Sequence, residues 1–87
     1  MHLLKSIVIY LDNSNTVTLN ENSLVDGLSL NDHTTSSLVN YLKNKDFIET
    51  YNPKGNPKHK IINTHNITSI NCHISDNIVG VESDPND

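Results

Sequence analysis

Eighty-seven residues, of which 34% are hydrophobic, suffice for one small domain and leave no material for a second core. A formal charge of −4, from six lysines and no arginine against ten carboxylates, opposes broad binding to nucleic acid or to a membrane surface. The single cysteine, Cys72, excludes an internal disulfide.

The chain opens on a strand. From Leu3 to Leu11 the apolar residues alternate, with Ile7, Ile9 and Leu11 on one face and Val8 and Tyr10 on the other. A strand apolar on both sides is expected at the centre of a sheet or in a dimer interface. Asp12-Asn13-Ser14-Asn15 supplies turn chemistry, because short polar side chains bond the local backbone and tolerate left-handed geometry. Thr16 to Asn20 alternates again with Val17 and Leu19 inward, so the first twenty residues read as a hairpin. No basic segment followed by a long apolar stretch begins the chain, and no apolar run nears the roughly 20 residues of a membrane span. No membrane association and a cytoplasmic location are expected.

Asn22 to Leu30 carries mixed signals. Leu24, Val25 and Leu28 fit a helical turn, Gly27 interrupts it, and Leu28 and Leu30 alternate; the segment reads as a loop anchored by apolar side chains. A helix is predicted from about Asp32 to Lys45, capped by Asn31 or Asp32, with Leu38, Val39, Tyr41 and Leu42 on one face. Thr34 to Ser37 forms helix poorly, which favours a later start. Phe47 to Tyr51 reads as a strand closed by Asn52-Pro53-Lys54-Gly55-Asn56-Pro57, a strong loop signal. Lys58 to Thr64 and Ile67 to Ile74 read as two further strands around a bend at His65-Asn66, and Ile78, Val79 and Val81 suggest a short edge strand. The expected fold is α+β: one domain over residues 1–81, in the order β-β-α-β-β(-β), with one helix on a mostly antiparallel sheet of four or five strands. Residues 82–87 read as an acidic disordered tail.

The loop with Lys54, Lys58, His59 and Lys60, next to Tyr51, is the sharpest local feature. Three lysines on a projecting hairpin have the chemistry to grip an anion; they also keep an exposed sheet edge soluble and unpaired. Ser37-Leu-Val-Asn-Tyr-Leu-Lys-Asn-Lys-Asp-Phe-Ile-Glu followed by this basic hairpin resembles a winged helix over roughly residues 34–64. The resemblance implies a DNA-binding regulator that uses the helix at 34–45 and the hairpin loop at 52–60, with Asn40, Lys43 and Asn44 facing bases. The family places two helices before its recognition helix, where this chain shows a hairpin, and the helix offers no arginine, the preferred fork for guanine and phosphate.

Other chemistry is sparse. His59, His65, Cys72 and His73 match no paired zinc spacing, and adjacent strand residues such as Cys72 and His73 point to opposite faces, so no metal and no cofactor are expected. Cys72 shares a face with Ile70 and Ile74 and reads as a small buried hydrophobe. Only Gly27, Gly55 and Gly80 are present, so no Gly-rich phosphate loop exists, and no serine sits in a nucleophile elbow; no catalytic residue is assigned. Fourteen Asn with no Ala or Arg indicate an AT-rich coding genome. By elimination the sequence reads as a non-enzymatic protein-binding module. A phage- or plasmid-encoded inhibitor or accessory factor, for example of the anti-defence or anti-CRISPR type, fits the size and codon usage, although no residue identifies that class. The candidate partner-binding residues are Tyr51, Lys54, Lys58, His59 and Lys60. So small a core gains from pairing, which makes a homodimer an expected state alongside the unknown protein partner.

Overall fold

The computed structural model describes residues 2–74. Seven strands, one α-helix and two short 3₁₀ turns follow one another along them. The strands are β1 (Leu4–Leu11), β2 (Thr16–Leu19), β3 (Leu24–Val25), β4 (Leu28–Ser29), β5 (Phe47–Tyr51), β6 (His59–Asn63) and β7 (Ile67–Ile74), and the helix α1 (Thr35–Lys43) separates β4 from β5. The expected edge strand at Ile78–Val81 and the acidic tail lie outside the described residues.

The α+β class is as the sequence predicts, but the strands form two antiparallel sheets where one was expected. One has the order β2-β1-β7, the other β4-β3-β5-β6. Small sheets with one apolar face gain more by stacking those faces than by extending edge to edge. Leu4, Ile7, Ile9, Val17 and Leu19 of the first sheet therefore share one buried cluster with Val25, Ile48 and Ile62 of the second. Leu38 and Leu42 of α1 and Leu30 complete it.

β1 takes the central place its two-sided apolar pattern predicts. Ile7 pairs with Leu19 on one side and Cys72 on the other, and Ile9 with Val17 and Ile70. A register shift between Leu4 and Ser6 keeps Leu4 in the core. Asn31 supports this irregularity, its amide donating to Leu4 O at 2.9 Å and Lys5 O at 3.3 Å. That employment overturns the predicted helix start. Asn31 and Asp32 belong to a 3₁₀ turn, Leu30–Asp32, and the cap is Thr34. Thr34 Oγ1 accepts from Ser37 N at 3.1 Å while Ser37 Oγ accepts from Thr34 N at 2.9 Å, a reciprocal box that makes use of the poor helix formers.

The segment read as a loop holds the β3–β4 hairpin instead. Val25-Asp26-Gly27-Leu28 is a two-residue connection with Asp26 at φ 52° and Gly27 at φ 80°, the double positive φ of a type I′ turn. Asp26 then ties three elements together. Its Oδ1 accepts from Glu49 N at 2.7 Å and its Oδ2 from the Tyr41 hydroxyl at 2.6 Å. Burial by itself would raise the Asp26 carboxyl, but the Glu49 N–H, the Tyr41 hydroxyl and the charge of Lys45 outweigh it and hold the group below its ordinary value. The same contact, with burial, pushes the Tyr41 hydroxyl up.

Replacing Asp26 by Ala is expected to cost about 1–3 kcal/mol in urea denaturation, the range for charged hydrogen bonds and the donors they leave unmet. Because the folded carboxyl titrates below its unfolded value of about 3.9, its stabilisation is present above that pH and is lost as the pH falls through the lower folded value. Asp26→Asn should flatten that limb of the pH–stability curve; an unchanged acid limb would contradict the role assigned to Asp26.

Candidate functional site

The loop between β5 and β6 is built on Asn52. Its backbone N–H donates to Lys58 O at 2.8 Å, and Gly55 N donates to Asn52 O at 2.8 Å. The side chain, 8% exposed, accepts from Lys54 N at 3.0 Å through Oδ1 and donates to Thr18 O of β2 at 2.8 Å through Nδ2. Gly55 is required by close approach, since a Cβ there would lie 2.9 Å from Pro57 O and 3.2 Å from Asn52 O. The Asn56–Pro57 peptide bond is cis.

The five residues singled out in the sequence divide into two groups. Lys54, Lys58 and Lys60 line one cleft of about 260 Å³ between this loop and β2. Tyr51 and His59 are paired on the other face of the β5–β6 hairpin, their rings 4.8 Å apart. Half of the chain's six lysines thus meet in a cleft whose lining, among the described residues, includes no carboxylate, in a protein of net charge −4. Asn20, Asn52 and Asn56 add neutral polar groups to its wall.

A second cleft of about 540 Å³ continues from the first, sharing Val17 and Lys60 with it. Its walls are again β2 and β6, with Leu11, Ile62 and several asparagines. Among the described residues both strands are sheet edges, and the ladder pairing leaves them in separate sheets. The two clefts therefore form one trough between two open edges, basic at the loop end and apolar and amide-lined at the other.

The outward face of the β5–β6 hairpin is apolar beyond what solvation asks. Phe47 is 60% exposed and Ile61 is 73% exposed. Phe47 pairs with Asn63 and Glu49 with Ile61, which makes Phe47 and Ile61 diagonal cross-strand neighbours on one face. The sequence does not distinguish them from core residues, because Phe47-Ile48 and Ile61-Ile62 are apolar on both faces and only the packing selects Ile48 and Ile62 for burial.

The histidines and Cys72 are dispersed. Cys72 is half-buried on β7, facing Ile7 and packed against the core; His73 follows it with the opposite facing, and His59 stands on the other sheet. His65 Nε2 lies 3.1 Å from Asp46 Oδ1 at the surface. Among the described residues no three His, Cys, Asp or Glu side chains converge as a metal site, and no helix is long and apolar enough to cross a membrane. The helix, strand and basic loop that resemble a winged helix do follow one another as α1, β5 and β6, but four strands precede α1 where that family has two helices. No family model, curated protein or solved structure matches the chain.

Asn52→Ala would leave the Thr18 carbonyl and the Lys54 N–H without partners, at an expected cost of about 1–3 kcal/mol. Amide exchange of residues 54–58 should accelerate in this variant while that of the β1–β7 ladder stays slow. Uniform acceleration throughout the domain would deny Asn52 a local role.

Proposed function

We propose that this protein is a non-catalytic binding module whose partner is another protein, engaged by the β5–β6 hairpin. The observation that carries the reading is the exposure of Phe47 and Ile61 side by side on one strand pair. Large apolar side chains clustered on a surface and rimmed by polar groups favour a protein contact. The Tyr51–His59 pair lies on the same hairpin face and extends the patch towards the lysine loop. Aromatic rings of this kind supply contact area at little entropic cost. The partner's chemistry follows: an apolar patch for Phe47 and Ile61, with carboxylates placed to meet Lys54 and Lys58. An inhibitor or accessory factor carried by a mobile element would act in this way, by occupying a partner's surface without chemistry of its own.

Capture by the tagged full chain from a lysate of its host, after nuclease treatment, should enrich one protein. That protein, once purified, should bind the Phe47→Ser/Ile61→Ser double variant at least tenfold more weakly. Both positions are exposed, so the variant's unfolding midpoint should stay near that of the parent. Equal binding by the variant would reject the hairpin face, and associates that vanish with nuclease would reject the protein partner.

A further inference from the structure

We infer that the trough between β2 and β6 receives an extended acidic segment of the partner, which pairs as a strand with the β6 edge; this rests on the protein-binding reading above. The backbone orientation of each edge follows from ladder alternation. Asn52 N bonds Lys58 O and Thr64 N bonds Asp46 O, so Lys58, Lys60 and Ile62 turn their peptide groups towards β5. His59, Ile61 and Asn63 therefore turn theirs to the open side. On β2, Leu11 N bonds Asn15 O, which places Val17 and Leu19 against β1 and turns Thr16 and Thr18 outward. Thr18 O is the outward group that Asn52 occupies.

The row of outward peptide groups on β6 is what a guest strand needs. It would sit about 4.8 Å from β6 and draw its affinity from main-chain hydrogen bonds to that edge. The five residues of β6 offer a run of about 17 Å. Paired there, the strand would extend the second sheet to the order β4-β3-β5-β6-guest.

Charge decides which strand. Lys60 faces inward from the edge strand, paired across from buried Thr50, and reaches both clefts. An inward lysine disfavours a wholly apolar strand, the usual protection of an exposed edge. With Lys54 and Lys58 at the same end and no carboxylate among the described residues lining either cleft, it favours a segment that brings its own carboxylates. Val17, Ile62 and Leu11 at the other end suit apolar side chains that alternate with those carboxylates.

The test uses the full chain and a fluorescein-labelled heptapeptide of alternating valine and glutamate, with its valine–lysine counterpart as control. The acidic peptide should bind saturably, at least tenfold more tightly than the basic one, and should slow amide exchange at His59, Ile61 and Asn63. Ile61→Pro removes an N–H from the open side only and should weaken binding at least tenfold. Should that variant fail to fold, Lys58→Glu with Lys60→Glu is expected to reverse the preference between the two peptides. No saturable binding, equal binding of the two peptides, protection confined to other strands, or displacement by an equimolar amount of inorganic phosphate would each overturn the proposal. So would the same protection in concentrated protein without peptide, which would place a second copy in the groove. A partner captured through Phe47 and Ile61 alongside a failed peptide assay would sink the groove and leave the binding module standing; a bound peptide with a captured partner indifferent to Phe47→Ser/Ile61→Ser would reject the hairpin face and leave the groove standing.

Discussion

One side-chain amide spans the open side of this fold. Asn52 Nδ2 reaches from the end of β5 to Thr18 O on β2 at 2.8 Å, and it is the hydrogen bond described between the loop and that edge. The inner faces of the sheets are held together by apolar packing, which is strong but has no direction. Asn52 supplies direction at the loop end, fixing where the loop stands against β2 and hence how Lys54, Lys58 and Lys60 surround the cleft. The same residue folds its own loop through Lys54 N and Gly55 N. Loop conformation and sheet spacing are consequently one problem with one solution.

A second polar residue performs the corresponding task on the opposite side. Asp26 joins the β3–β4 turn to β5 and to α1 through the Glu49 N–H and the Tyr41 hydroxyl. With β1 bracketed by β2 and β7, the helix side of the sandwich is closed by hydrogen bonds and apolar contact together. On the β2–β6 side the Asn52–Thr18 bond closes only the loop end, and the three loop lysines and the exposed hairpin face gather there. The proposed binding face lies on that side, where the outward peptide groups of β6, three lysines and the Phe47–Ile61 pair stand together.

Local chemistry made much of the chain legible. Alternation located β1, β2, β5 and β7 to within a residue or so, and β5 and β7 match the sequence reading at both ends. The errors have different causes. Asn31 and Asp32 have the right side chains for a cap, but Asn31 is engaged by the carbonyls of the β1 irregularity, a demand from residues 26 and 27 positions away. The box at Thr34 and Ser37 was readable in principle, since Ser37 stands three residues beyond Thr34. Asp26-Gly27 was also readable, as the dipeptide that suits a type I′ turn, but a two-residue strand on each side gave too little periodicity to reveal the hairpin.

What the sequence determined alone is the inventory: one α+β domain's worth of short strands and one helix, three lysines in a Pro-rich loop, and no arginine. Those follow from nearest-neighbour rules, where a residue's identity and its spacing to the next few decide the outcome. The division into two sheets, the selection of Ile48 and Ile62 over Phe47 and Ile61 for burial, and the separation of the lysines from Tyr51 and His59 were decided only by the tertiary structure. Each depends on which distant surface a strand face meets. A strand apolar on both sides carries no mark of which face will be covered until the second sheet is in place.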